Sequence, residues 1–199
     1  MKRVQVEPHQ SITGGVAAEW IPIKPKTDAA FLYGVLHRIL IECNWREICD
    51  VERLEQDSNS PYLIGPNGYW MRDPETHKPL IFDLKDKTAK PFDTEIQHPG
   101  MEGSFLVSGI EIGADEDQWV HKNIEAKTSF QQLIDHMEEY TPEWAEEQSD
   151  VPADRIRTVA DEFISNACIG QTIEVEGEEM PFRPVAILLG KTVNNGWGG

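Results

Sequence analysis

The sequence lacks the features that define several common classes of protein. Its 199 residues include only three cysteines, Cys43, Cys49 and Cys168, and no two of them form a CxxC pair. This number and spacing do not suit a disulfide framework or a cysteine-rich metal site. The longest strongly apolar run, residues 184–189, is long enough for a β-strand but far too short to span a bilayer. We therefore expect neither a disulfide-stabilised scaffold nor membrane insertion.

Positive charge is also scarce. The chain contains 18 Lys and Arg residues against 35 Asp and Glu residues, which gives a net charge of −17. Such a surface repels a phosphate backbone and an anionic lipid surface, so we expect no nucleic-acid partner and no docking on anionic membranes. The hydrophobic content of 39% is ordinary for a folded protein and excludes global disorder.

The usual catalytic and metal-binding motifs are absent from the sequence. Its six histidines are scattered without an HExxH motif, and no GxSxG elbow, Walker loop or GxGxxG turn occurs. The acidic run at 115–117 lacks the glycine and the distal glutamate of an EF-hand loop. The residues alone therefore identify no catalytic group and no metal ligand.

Strands and helices alternate in the parts of the chain where the pattern is strong. We expect short strands at 4–7 and 20–23, a helix from Thr27 and Asp28 to about Glu42, and helices beginning near residues 128, 141 and 151. The apolar run at 184–189 is typical of a strand covered on both faces, which favours a parallel sheet flanked by helices.

A different composition marks the stretch from about residue 57 to residue 127. Six of the 13 prolines fall there, and turn signals separate short apolar runs. We interpret it as a loop-rich excursion, with a hairpin near residues 104–112. The predicted fold class is α/β, with a mostly parallel sheet, flanking helices and a loop-rich inserted lobe, in one domain covering residues 1–199.

One arrangement of polar residues carries a chemical implication. A strand that ends in an acid, here Glu7, is where nucleotide-binding α/β domains hold a ribose. Lys26, Thr27 and Asp28 stand at a helix start, where free amides and the helix dipole favour anions or polar base edges, and Thr27 is expected to accept a bond from a first-turn amide. Acid-ended strands and capped helices are also ordinary structure, so a purely structural role stays open.

Four stretches of the sequence are more distinctive than this pattern. They are EPH at residues 7–9, WIPIKPKTDAA at 20–30, YTPEWAEE at 140–147 and VPADRIR at 151–157. Together and in this order they resemble the molybdopterin oxidoreductases of the dimethyl sulfoxide reductase family. In that family a catalytic subunit several times longer than this chain binds molybdenum or tungsten between two molybdopterin guanine dinucleotides. The resemblance implies that this chain corresponds to the central Rossmann-like domain, which holds the nucleotide end of one dinucleotide.

The resemblance also implies a set of cofactor-binding residues. Glu7 is assigned to the ribose and Asp28 to the guanine N–H groups, while Lys26 replaces a glycine that is usual in the family. That replacement matters if the backbone needs a positive φ there, although a lysine also offers its charge to the diphosphate. A later loop is assigned to the metal–pterin end. The full candidate set is Glu7, Pro8, His9, Gln10, Ser11, Lys26, Thr27, Asp28, Lys191 and Asn194.

The family's other cofactor-holding parts have no match in this sequence. Its iron–sulfur cysteines, its metal-ligating residue and the domain that completes the second dinucleotide site are all without a counterpart here. The resemblance therefore implies partners, namely the remaining domains of the catalytic subunit, together with an iron–sulfur electron-transfer subunit. We expect the chain to be catalytically inert by itself.

A second hypothesis is a free-standing, non-enzymatic domain left by gene splitting or truncation. Such a domain binds a nucleotide or a partner polypeptide, and an uncovered apolar face leads it to self-associate. The compartment, cytoplasmic or periplasmic, stays open under either hypothesis.

Overall fold

The computed structural model describes residues 2–188, which form two compact units. The first unit contains residues 2–49 and 136–188, and the second contains Asp50–Asp135. Both units contain strands, and helices are present throughout, so the mixed α/β class is confirmed. The extent of the predicted single domain, residues 1–199, stays a prediction.

The first unit opens with two short strands that pair in parallel. In chain order its elements up to residue 49 are β1 (Val4–Glu7), α1 (Ile12–Gly15), β2 (Glu19–Pro22), α2 (Asp28–His37), a π-helical turn (Arg38–Glu42) and α3 (Trp45–Ile48). Helix α2 and the π-helical turn together end at Glu42, as the apolar periodicity predicted.

The second unit is built from antiparallel strands. Its elements are α4 (Val51–Gln56), β3 (Leu63–Ile64), β4 (Leu80–Asp83), β5 (Thr88–Pro91), β6 (Ser104–Ile112), β7 (Gln118–Thr128) and most of α5 (Ser129–Met137). Strands β6 and β7 form a long hairpin that β3 extends to three strands, while β4 and β5 form a separate pair. The hairpin predicted near residues 104–112 is longer than expected, because those residues form one strand of it and β7 forms the other.

The chain then returns to the first unit with helices and one further hairpin. These elements are α6 (Pro142–Ser149), α7 (Ala153–Asn166), β8 (Thr172–Val175) and β9 (Glu178–Pro181). Thr141 caps α6 by accepting a bond from Trp144 N at 3.1 Å. The side chain of Glu146 reaches the next helix, because its Oε2 accepts a bond from Ala153 N at 2.9 Å. Two of the distinctive sequence stretches are thus joined by a capping bond.

The core of the first unit lies between α2, α6, α7 and the β1–β2 pair. Gly34 allows the close approach, because a Cβ there would lie 2.8 Å from Ala145 Cβ and 3.1 Å from Ile156 Cγ2. Full burial of each large apolar side chain contributes about 1.5–3 kcal/mol. The buried residues of this cluster are Ile21, Ile23, Phe31, Val35, Ala145, Val151, Ile156 and Ala160.

The mostly parallel, Rossmann-like sheet is not found in residues 2–188. In that part of the chain β1 and β2 are the one parallel pair, and the other strand pairs are antiparallel. Residues 184–188 of the predicted buried strand lie outside any strand, and Ile187 and Leu188 are exposed. The prediction was wrong because an apolar run indicates a tendency to be buried but does not specify which strand will pair with it.

The helices of the described residues are too short or too polar for a membrane span. Among them, none is both long enough and apolar enough to cross a bilayer.

Candidate functional site

The parallel pairing of β1 and β2 brings two candidate segments to one edge. The register matches Val4 with Glu19 and Glu7 with Pro22, so the two strands end side by side. The segment from Glu7 to Ser11 follows β1, and the segment from Lys24 to Asp28 follows β2. We call this the carboxyl-end edge. In parallel α/β arrangements, ligands bind outside the carboxyl ends of the strands.

The carboxylate of Glu7 is the best-defined polar group at this edge. Its Oε1 accepts bonds from Ser11 Oγ at 2.7 Å and from Ser11 N at 2.8 Å. Its Oε2 has a weaker contact, 3.4 Å from Gln5 Nε2. Donation from the Ser11 hydroxyl, and then from the Ser11 amide, lowers the pKa of Glu7 below its ordinary value. Glu7 is therefore an ionised acceptor with capacity left on Oε2.

Ser11 and Gly14 position that carboxylate. Ser11 Oγ donates to Glu7 and accepts from Gly14 N at 3.2 Å, so the same hydroxyl caps α1. A Cβ on Gly14 would lie 2.4 Å from Glu7 Oε1, so a side chain there would displace the carboxylate. Trp20 Nε1 donates to the backbone oxygen of Glu7 at 3.1 Å and ties β2 to the end of β1. Sequence reasoning missed Gly14, although an SxxG pattern after a strand-end acid is a usable signal.

Pro8, His9 and Gln10 complete the first segment. All three residues are exposed to solvent, and they connect Glu7 to Ser11. They are available to a ligand at the carboxyl-end edge, while the bonds of Glu7 and Ser11 fix the two ends of the loop.

The segment from Lys24 to Asp28 is bonded to a residue of α6. Lys24 N donates to Ser149 O at 2.9 Å, at the end of α6. Thr27 Oγ1 donates to Lys24 O at 2.7 Å and makes no side-chain capping bond to α2, so the predicted capping role of Thr27 was wrong. The hydroxyl of Thr27 forms a bond within the local turn instead, because Lys24 O lies within hydrogen-bond distance of it. Asp28 is the first residue of α2 and is half-buried.

Lys26 adopts the left-handed backbone conformation. Its φ is +69°, and its side chain is exposed. This conformation costs an L-residue roughly 1–2 kcal/mol, whereas glycine adopts it freely. The turn therefore has the backbone shape that a glycine favours, even though a lysine occupies it.

Two of the predicted site residues fall outside this description. Lys191 and Asn194 lie beyond residues 2–188, so their assignment stays a prediction.

The thiol of Cys49 and the potential metal ligands of residues 2–188 were the remaining candidates for reactive groups. Burial, and then the neighbouring Cys43, raise the pKa of the Cys49 thiol, which disfavours the nucleophilic thiolate. No group of three or more His, Cys, Asp and Glu side chains in this range is arranged to hold a metal ion.

Comparison with known proteins identifies relatives of the chain. No family model matches it. It is 31% identical over 170 residues to a sulfite dehydrogenase subunit from Allochromatium vinosum, an alignment that covers 80% of this chain and 16% of that protein. It is 36% identical over 141 residues to thiosulfate reductase molybdopterin-containing subunit PhsA of Salmonella typhimurium, covering 63% of this chain and 18% of that protein.

These relatives define the class of the chain. It is homologous to a segment of redox enzymes, and it spans less than one fifth of the length of the two curated relatives. More narrowly, it is homologous to the molybdopterin oxidoreductases, which confirms the resemblance carried by its four distinctive stretches.

Proposed function

We propose that this chain is part of the catalytic subunit of a molybdenum or tungsten oxidoreductase of the dimethyl sulfoxide reductase family. Within the complete enzyme it contributes the surface that binds the guanosine end of one molybdopterin guanine dinucleotide. The observation that carries the proposal is the carboxyl-end edge, where parallel strands bring the Glu7 and Asp28 segments side by side. The relative that is named as molybdopterin-containing supports the cofactor class.

The groups at this edge match the chemistry of a guanosine. Ribose hydroxyls donate, and the ionised Glu7 carboxylate has acceptor capacity on Oε2. Guanine presents adjacent N–H donors, which suit the carboxylate of Asp28 at the start of α2. Lys26 adds a positive charge beside a helix N-terminus, where a diphosphate is favoured. Pro8, His9 and Gln10 supply further loop contacts.

The role of the chain in this proposal is to hold and orient the dinucleotide. When bound, the cofactor supplies two-electron redox chemistry at its metal. Glu7 and Asp28 fix the nucleotide end through hydrogen bonds, and the Ser11 bonds keep Glu7 ionised for that purpose. The partners in this proposal are the remaining domains of the catalytic subunit, together with an iron–sulfur electron-transfer subunit, and the chain is inert alone.

Titration calorimetry of the 199-residue chain with GMP tests the nucleotide surface. We expect GMP to bind more tightly than AMP, and Asp28→Asn to weaken GMP by about tenfold or more, because an amide both loses the charge and presents a donor to the guanine donors. Glu7→Gln should weaken GMP and AMP equally, since both carry the same ribose.

A matched control separates recognition from the helix dipole. Asp154 occupies the first turn of α7 and is exposed, so Asp154→Asn makes the same chemical change at another helix start. Equal weakening by Asp28→Asn and Asp154→Asn, or equal binding of GMP and AMP, would contradict the assignment of Asp28 to guanine.

A further inference from the structure

The hairpin formed by β8 and β9 is exposed along its whole length. Every residue of both strands is exposed, and within residues 2–188 the pair forms a separate two-stranded sheet in which each strand is an edge. Glu176 and Gly177 join the strands with φ values of +53° and +87°, as a tight hairpin turn requires. A two-stranded hairpin is only marginally stable by itself in water, so a further partner would stabilise it.

One face of this hairpin carries three apolar side chains, together with Glu178 opposite Val175 near the turn. The register places Ile173 opposite Met180, and side chains alternate along a strand, so Val175 lies on the same face. Ile173, Val175 and Met180 are 44%, 46% and 48% exposed, respectively. Nothing in residues 2–188 buries this face, and its adjoining apolar side chains form an interaction surface.

The other face of the hairpin carries like charges at close quarters. Glu174 lies directly opposite Glu179 in the register, an arrangement that destabilises an antiparallel pair. Thr172 Oγ1 donates to Glu179 Oε1 at 2.6 Å, which satisfies one oxygen without neutralising the charge. A cationic side chain from a partner would relieve this repulsion.

The base of the hairpin is held by backbone bonds. Phe182 N donates to Gln171 O at 2.8 Å, and Arg183 Nη1 donates to Cys168 O at 3.1 Å and to Gln171 O at 3.2 Å. The two strands are therefore presented in a fixed register, and no other described strand pairs with their edges, which can accept a third strand.

Charge argues against a second copy as the occupant. The hairpin alone carries Glu174, Glu176, Glu178 and Glu179, and the chain has a net charge of −17. Pairing two such hairpins edge to edge would bring their carboxylates together at a further electrostatic cost.

We propose that the β8–β9 hairpin binds an extended segment of a partner polypeptide in which apolar and basic side chains alternate. The segment adds as a third strand at a hairpin edge. Its apolar side chains cover Ile173, Val175 and Met180, and its Lys or Arg side chains face Glu174 and Glu179. This interaction is independent of nucleotide binding at the carboxyl-end edge.

The test uses a fluorescein-labelled Lys-Val-Lys-Val-Lys-Val peptide and the full 199-residue chain, with binding followed by fluorescence anisotropy. We expect the peptide to bind, and the double variant Glu174→Lys, Glu179→Lys to bind it at least about tenfold more weakly. Reversing both charges keeps a like-charged pair in the hairpin, although it removes the acceptor of the exposed Thr172 hydroxyl. Ile173→Ser should also weaken binding, although it leaves the charge unchanged.

The matched control is the double variant Glu138→Lys, Glu147→Lys, at two exposed positions outside the hairpin. Both double variants change the net charge from −17 to −13, because each substitution adds two positive units. The proposal is overturned if the peptide does not bind, or if the control weakens binding as much as the hairpin variant does. It is equally overturned if the chain dimerises in sedimentation and Ile173→Ser abolishes the dimer, because a second copy then covers the face.

Discussion

Buried acids in the second unit differ from Glu7 in the first unit in how fully they are bonded. Glu111 on β6 is fully buried, and its two oxygens accept from Asn67 N at 3.1 and 3.2 Å, from Asn67 Nδ2 at 3.0 Å and from Tyr69 N at 3.0 Å. Its Oε2 also lies 2.7 Å from His121 Nε2. Glu7, in contrast, is half-buried, and its strong bonds from residues 2–188 go to Oε1 alone.

Asp83 in the second unit follows the pattern of Glu111. It accepts bonds from Lys90 Nζ at 2.8 Å and from the backbone amides of Lys85, Gln97 and His98 at 3.0, 3.1 and 3.3 Å. Acids bonded on all sides stabilise loops and have no capacity for a ligand. The comparison thus separates carboxylates that hold the fold from a carboxylate that is available to a ligand.

Removing the buried carboxylate of Glu111 should give the largest change in the free energy of unfolding. We expect Glu111→Ala to lower the free energy of unfolding by about 3–5 kcal/mol, because the amides of Asn67 and Tyr69 lose their acceptor inside the protein. Urea denaturation measures the change. Glu125→Ala on β7 removes an exposed glutamate and should change the free energy by less than about 0.5 kcal/mol. Similar losses in the two variants would show that Glu111 does not hold the loop.

Two adjacent glycines allow Glu7 to be perturbed without changing any charge. Gly14→Ala should displace the Glu7 carboxylate from Ser11, raise the pKa of Glu7 toward its ordinary value and weaken GMP binding. Gly15→Ala is the control, because a Cβ at Gly15 has no atom within 4 Å. Side-chain NMR titration of Glu7 measures both variants. An unchanged pKa in Gly14→Ala would mean that the Ser11 bonds survive the added methyl group.

Replacing a lysine that has a positive φ by glycine should give a smaller change in stability. Lys26→Gly should raise the free energy of unfolding by about 0.5–1 kcal/mol, because relief of the strained φ exceeds the added entropy of the unfolded chain. Lys87 has a φ of +56° in the second unit, so Lys87→Gly should give a similar gain.

Nucleotide binding distinguishes these two lysines. If Lys26 supplies charge to a diphosphate, Lys26→Gly weakens GDP more than guanosine, whereas Lys87→Gly affects neither ligand. A uniform effect on GDP and guanosine would instead leave Lys26 as a backbone feature only.

The smallest expected effect is a difference between Glu7 and Asp83 in the pH at which each carboxylate stops contributing to stability. The pKa of Glu7 is lowered from its ordinary value of 4.5, so the stability it contributes is present above pH 4.5 and is lost as the pH falls through the lowered pKa. The Lys90 ammonium and then the amides hold the pKa of Asp83 well below its usual range, so its contribution persists to lower pH.

Unfolding measured at stepwise lower pH checks this order. The difference in free energy between wild type and Glu7→Gln should disappear at a higher pH than the difference between wild type and Asp83→Asn. The reverse order would mean that the Ser11 bonds hold Glu7 ionised more strongly than Lys90 holds Asp83.

Local signals in the sequence predicted several elements correctly. The starts of α6 and α7 follow from Thr141 with Pro142 and from the VPAD stretch, because capping residues act within one helical turn. The end of the α2 region at Glu42 follows from the apolar periodicity. These features depend on neighbours in the chain, which a single sequence displays directly.

Features that depend on distant residues could not be predicted in the same way. The bonds between Glu111 and the Asn67–Tyr69 turn, or between Lys24 N and Ser149 O, join residues far apart in sequence. At the candidate site, the sequence identified the two segments and the importance of φ at Lys26. The constraint at Gly14 depends on where the Glu7 carboxylate lies, and the Thr27 hydroxyl donates to Lys24 O and accepts no bond from the helix amides.

The bond from Lys24 N to Ser149 O also constrains the order in which the molecule can fold. The first unit is discontinuous, so the turn that carries Lys26 cannot reach its final shape before residue 149 has been synthesised. The second unit, Asp50–Asp135, is continuous and is complete on the ribosome before that point. Because compact units tend to fold as they emerge, we expect the middle of the chain to fold first and the edge that carries Glu7 and Asp28 to form only after the later helices are present.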